Sequence, residues 1–189
     1  MGKLSKEAVL PALLRTAPRL LPVGALFLPL GTLTIKILIE KVTQYNIVTM
    51  IQAFTGEDSE LFTKLLATEP MAAARTWMYV TAVGLVLSIL AMLAGLALAF
   101  SGKTKILIAG TVTYGVGTLA GICAGVAFSM CGAALAGAMN NMVGLSVNFG
   151  TWVLVAVLLL NFVLCLSQWR RAKERARLAE LAKKKRKKK

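Results

Sequence analysis

Between Thr76 and Trp169 only Lys103 and Lys105 carry a charge. A bilayer's hydrocarbon core of about 30 Å takes about 20 apolar residues to cross as a helix. This run is long enough for three crossings, and its internal breaks place them. The turn SGKTK divides the first two, and AMNNMVGLSVNFG (138–150), rich in Asn, Gly and β-branched residues, divides the second from the third. The pattern predicts helices over about 76–101, 105–133 and 149–169.

The chain before this run is less regular. APRLLPVGALFLPLG (17–31) contains three prolines. It predicts a helix over about 12–31, with Pro11 and Pro18 near its start and Pro22 and Pro29 positioned to kink or end it. Basic residues before a short apolar stretch also fit a signal peptide, although PLGTLTI offers no small-x-small cleavage site. In TLTIKILIE (32–40) the period changes. Leu33, Ile35, Ile37 and Ile39 alternate with Thr32, Thr34, Lys36 and Glu40, with Leu38 as the exception. Alternation with β-branched enrichment predicts a short hairpin over 32–49. The rival reading extends helix 1 to Ile39, with Lys36 snorkelling to the interface. Short helices are expected after it, the second capped by Thr55 or Asp58 and ended before Pro70.

These elements describe an all-α integral membrane protein of four transmembrane helices. A loop (32–75) holding a small β-hairpin and short helices joins helices 1 and 2. Residues 1–169 form the membrane domain and 170–189 a basic tail. Charge orients it. The N-terminal flank has Lys3, Lys6, Arg15 and Arg19 against Glu7, the SGKTK turn adds two lysines, and the 32–75 loop holds four basic and five acidic residues. The positive-inside rule then puts both termini in the cytoplasm, with Trp77 and Trp152 at the outer interface and Trp169 at the inner one. The expected location is the plasma (cytoplasmic) membrane. Four spans with a larger first outer loop resemble the claudin-like arrangement. The claudin first-loop signature of tryptophans and paired cysteines is absent from 32–75, so the resemblance implies an arrangement of spans and no barrier function.

Composition agrees: 57% of the 189 residues are hydrophobic and 16% charged, with a mean hydropathy of +0.72, where a soluble domain is about a quarter charged. The net charge of +14 is concentrated at the end, since twelve Lys or Arg and two Glu lie from Arg170 onward. A nucleic-acid footprint over the whole chain, or sequence-specific recognition, is therefore not indicated. A basic cluster beside a span predicts contact with anionic lipid headgroups through Lys183, Lys184, Lys185, Arg186, Lys187, Lys188 and Lys189. Ribosomal RNA is the second polyanion that such a tail suits. The segment 169–182 is expected to leave the membrane as a helix and to end in a disordered basic run.

Candidate chemistry is sparse. There is no histidine, and the three cysteines, Cys123, Cys131 and Cys165, lie in apolar runs without metal-ligand spacing. SGKT (101–104) lacks the first glycine of a phosphate-binding loop, since Ala97 stands there. MGKLSK has Lys6 where myristoylation needs Ser or Thr. Glu57, Asp58 and Glu60 read as a solvated acidic patch. No catalytic, metal or cofactor site is expected. Asn161, Tyr114 and Ser88 are the notable polar groups in the spans, and Asn161 is the candidate intramembrane polar site. In helix 3, Gly117, Gly121 and Gly125 begin a four-residue spacing continued by Ser129, Ala133 and Gly137, a stripe that lets another helix approach closely. It would pack within the bundle, or against a partner or second copy.

The expected function is that of a small non-catalytic membrane protein, an accessory or interaction subunit. The alternative is a transporter or channel for a neutral or apolar solute.

Overall fold

The computed structural model describes residues 17–36, 40–47, 49, 68–99 and 104–187. Among them, three helices are long and apolar enough to cross a membrane. They are α2 (Ala72–Ala99), α3 (Thr104–Ala138) and α4 (Phe149–Lys187). A three-stranded antiparallel sheet accompanies them: β1 (Gly31–Lys36), β2 (Glu40–Tyr45) and β3 (Val143–Val147), in the order β2-β1-β3. A shorter helix, α1, covers residues 17–25. A 3₁₀ turn at Glu69–Met71 leads into α2.

The helix predicted over 12–31 is shorter at its C-terminal end. Regular helix stops at residue 25, and three tight turns follow, in which the N–H groups of Leu26, Phe27 and Leu28 donate to the carbonyls of Val23, Gly24 and Ala25. Pro29 then closes the helix route, because it has no N–H to give. Residues 12–16 lie outside those described. The extension of helix 1 to Ile39 is overturned through Lys36, because Gly31–Lys36 is a strand. The hairpin is present, one residue earlier than predicted and ending at Tyr45. Lys36 and Glu40 pair across it at 3.4 Å, both side chains exposed. Asn46 and Thr49 exchange side-chain and backbone hydrogen bonds in a capping-box arrangement at the helical residues that follow. Thr55, Asp58 and the remaining short helices fall outside the described residues.

Three boundaries differ for physical reasons. The uncharged linker before α4 contributes β3, which pairs with β1 over Gly31–Ile35. Val143, Leu145 and Val147 alternate with Gly144 and Ser146, and Leu145 joins the cluster formed by Met71, Ala74, Cys131 and Leu135. α3 runs on to Ala138 and is closed by Asn140 and Asn141, both at positive φ, with the Asn141 N–H donating to the Ala136 carbonyl. Asn tolerates the left-handed conformation that such a cap requires. The disordered basic end is also corrected: α4 passes from the span through Lys187 without a break. Lys, Arg, Ala and Leu are strong helix formers, and a preformed helix spares them the cost of nucleation.

α3 is the centre of the bundle. Ser88 of α2 donates to the Gly117 carbonyl at 3.1 Å, and the Cys131 thiol to the Ala74 carbonyl at 3.4 Å. A Cβ on Gly117 would stand 2.9 Å from the Ala91 Cβ on α2. On Gly121 it would stand 3.0 Å from a Val155 methyl on α4, and on Gly125, 3.3 Å from the Trp152 ring. α2 has a matching row of small residues. A Cβ on Gly84 would meet Ala124 at 2.9 Å, and one on Gly95 would meet the Tyr114 ring at 2.8 Å. The glycine face of α3 is thus covered by α2 and α4 of the same chain, whereas nothing lies within 4 Å of a Cβ on Gly137.

These contacts also set the levels of the helices. Gly117, Gly121 and Gly125 face Leu158, Val155 and Trp152 in turn, so the α4 stretch 149–169 runs beside α3 residues near 107–128, about 30 Å of helix. Large exposed apolar side chains on α3 run from Ile108 to Met130, the same stretch. The rest of α3 continues about 15 Å further. There Gly132 touches the Leu145 carbonyl, so β3 lies directly on α3.

Gly121→Leu forces four carbons into the contact with Val155, where a Cβ alone would already stand at 3.0 Å. Overpacking of this kind costs about 1–3 kcal/mol, and we expect a loss at the upper end when unfolding is followed in mixed detergent micelles. Cys123, two residues on, is exposed, so Cys123→Leu should be near neutral. Equal stability of the two variants would mean that α3 does not hold the bundle through this face.

Candidate functional site

Sequence reading nominated Asn161 as the intramembrane polar residue. The structure places it in the core, fully buried, where the α1 segment lies along α4. Its amide nitrogen donates to the Pro18 carbonyl and to the Val157 carbonyl, each at 2.9 Å. The first of these bonds has a cause in sequence. In a helix the carbonyl of residue 18 would accept from the N–H of residue 22. Residue 22 is proline and has no N–H. Pro22 therefore orphans the Pro18 carbonyl, and Asn161 supplies the missing donor from another helix.

Two turns further along α4, a charge approaches the same seam. Arg19 donates through Nη2 to the Gln168 Oε1 at 2.8 Å. Arg19 was read from the sequence as part of the N-terminal flank. The structure brings it half-buried against α4, within electrostatic reach of Tyr114 and Cys165. Arg19 and Gln168 were missed as a pair because they are 149 positions apart. The available signal was the Pro18-Arg19-x-x-Pro22 spacing, which marks a helix with an unsatisfied carbonyl beside a cation.

The remaining wall is apolar. Ala25, Met92, Tyr114, Leu154, Leu158 and Cys165 form one buried cluster, with Phe162 packed against it. Two buried polar atoms have no hydrogen-bond partner among the described residues: the Tyr114 hydroxyl and the Asn161 Oδ1. Buried polar groups are ordinarily satisfied, so among the described residues these two side-chain atoms have hydrogen-bonding capacity left over.

The other nominated residues lie apart from this seam. Gly117, Gly121 and Gly125 line the α3 face toward α2 and α4. Of the basic run, Lys183–Lys187 forms the far end of α4, while Lys188 and Lys189 lie outside the described residues, as do Glu57, Asp58 and Glu60. Among the described residues no three His, Cys, Asp or Glu side chains come together to hold a metal. Ser88 serves the α2–α3 contact and carries no separate chemistry.

A double-mutant cycle tests the Pro22–Pro18–Asn161 connection. Asn161→Leu should cost about 1–3 kcal/mol by leaving the Pro18 carbonyl unpaired. In a Pro22→Ala background the new N–H can take that carbonyl, and the cost should fall by about 1 kcal/mol. Identical costs in both backgrounds would show that Asn161 is not there for Pro18.

Compared with known proteins, the chain matches no protein family, no curated protein and no solved structure.

Proposed function

We propose that this chain is a non-catalytic accessory or interaction subunit of a membrane assembly, a packed anchor that displays a small sheet at one end and a basic helix at the other. The supporting observation is the continuity of α4, which passes from the bundle core at Leu158 to Lys187 as one helix. An element so fixed to its anchor presents its far end at a set distance and direction.

In this reading the segment expected over about 12–31, of which residues 17–30 are described ahead of β1, makes the fourth crossing. Pro18 and Arg19 lie beside Asn161 and Gln168, and the Gly150 N–H reaches the Pro29 carbonyl at 3.1 Å, so the segment runs antiparallel to α4 over most of its membrane depth. Both termini are then cytoplasmic, the sheet is extracytoplasmic, and the plasma membrane is the proposed site. Arg170, Arg171 and Lys173 would then lie at the headgroup level and meet anionic lipid there, in place of the Lys183–Lys189 run for which that contact was expected from the sequence. Lys173 already sits 5.5 Å from the Trp169 ring centroid, an arrangement suited to an interfacial belt.

The second reading, a path for a neutral solute, draws on the unpaired Tyr114 hydroxyl and Asn161 Oδ1. Absence of coupling between Pro22 and Asn161 would favour it over a purely structural role for Asn161.

Two measurements test the leading reading. Purified gently at native expression, the chain should be recovered in a particle heavier than its own 20.1 kDa by native mass spectrometry. Recovery of the monomer alone would remove the subunit reading. Independently, a cysteine replacing Thr34 on β1, in a background without native cysteines, should react with an impermeant thiol reagent added outside intact cells. Labelling only after permeabilisation would invert the proposed topology.

A further inference from the structure

We infer that the basic arm of α4 binds structured RNA through its phosphates, and that it does so away from the bilayer that anchors it.

Length carries the first step. Lys187 is 18 residues beyond Trp169, about 27 Å of helix. From Thr151 onward the chain has neither Gly nor Pro, the usual causes of a kink. Even at the 40° upper range of membrane tilt, the last turn stands about 20 Å from the interface. The Debye length at physiological salt is about 8 Å. The first basic residues after Trp169 can therefore meet their own headgroups, and the last turn cannot.

The second step is the distribution of side chains. A helix that lies on a membrane separates an apolar face from a charged one. Beyond Trp169 the large apolar side chains are Leu178 and Leu181, both exposed. At 100° per residue they fall among Arg170, Arg171 and Arg177, rather than opposite them. Exposed Arg175 and Lys184 extend the positive surface on either side. This helix has no continuous apolar face to insert, and its residues 170–187 carry ten basic side chains against Glu174 and Glu180, so positive charge prevails around it.

The third step selects the partner. A rod with charge wrapped around it fits a polyanion that surrounds it, as phosphates flank a groove, better than it fits a plane. Residues 170–187 contain no aromatic side chain, so they offer no platform for stacking unpaired bases. That favours base-paired regions, contacted without sequence preference. The choice of RNA rests on the cytoplasmic placement of the arm proposed above. The binding assay does not depend on sidedness, so failure of the Thr34 labelling and failure of RNA binding are separate results. A monomer that binds RNA would keep this inference while removing the subunit reading.

The test uses the full chain in lipid nanodiscs and a fluorescent RNA hairpin. In zwitterionic discs the protein should bind it, with the dissociation constant rising about 10³-fold between 50 and 200 mM salt, as expected for six phosphate contacts. A flat salt dependence would overturn the inference. In discs containing anionic lipid, the intact chain should keep its RNA affinity within about threefold, because the last turn lies beyond screening range. A variant with a flexible Gly-Ser insert after Lys173 leaves the bundle untouched but lets the arm fold back onto its own lipid. It should lose RNA affinity at least tenfold in anionic discs and little in zwitterionic ones. Equal loss by the intact chain would place the arm on its own bilayer. Polyglutamate, or added anionic vesicles, competing as well as RNA at equal charge would assign the arm to an acidic protein or a second membrane instead.

Discussion

Three helices meet at Gly117. Its missing side chain admits the Ala91 Cβ from α2, and the Leu158 Cδ2 from α4 would stand 3.8 Å from a Cβ placed there. In lipid, pressing two apolar helices together gains little over leaving both in acyl chains, so attraction must come from close backbone approach and short hydrogen bonds. The Ser88–Gly117 bond is available because there is no side chain to hold the helices apart. The sheet depends on the same closeness. Gly132 lets β3 lie on α3, and the register of β3 against β1 fixes where the N-terminal segment ends. Gly150, touching the Pro29 carbonyl, fixes it from the α4 side.

A second constraint is that polar groups in a membrane must be satisfied within the protein. The helical hydroxyls do this locally: Thr81, Thr111 and Thr118 each donate to the carbonyl four residues earlier. The irregular stretch after α1 cannot. Its polar groups are taken up by other elements. The Leu30 N–H donates to the Tyr45 carbonyl, and the Leu30 carbonyl accepts from both the Asn148 N–H and the Thr151 hydroxyl. Together with Asn161 at Pro18, these bonds explain how a proline-rich segment can lie along a bundle without being a complete helix.

Much of this was legible in the sequence where one property decided the outcome. Absence of charge located α2, α3 and α4, and alternation located β1 and β2. Where two properties competed, the outcome was not legible. VGLSV (143–147) is too short to show a strand period, and its partner β1 is over a hundred residues away. α2 and α3 overrun the predicted spans because Ala-rich sequence such as AALAGA continues a helix whether or not lipid surrounds it. The tail looked disordered by charge, yet its residues are strong helix formers attached to a rigid start. The seam of Arg19, Asn161 and Gln168 was hidden by distance along the chain, and only Asn161 stood out alone. The row Gly84, Ser88, Ala91 and Gly95 on α2 was as readable as the glycines of α3, but its mixed spacing of four, three and four concealed it.

The sheet also imposes an order on synthesis. Thr32 and its partner Asn148 are separated by 116 positions. At 5–20 residues per second, β1 and β2 leave the ribosome about 6–20 s before β3 exists to complete the sheet. During that interval the inner edge of β1 carries unpaired backbone groups, and the Leu30 carbonyl lacks its acceptor role toward α4. A nascent chain stopped after α3 would hold a helical hairpin with an open strand edge, a form that invites pairing with other chains. Arrival of β3 and α4 closes that edge and ties down the N-terminal segment in one event, so the two ends of the sheet's history are joined by a single late step.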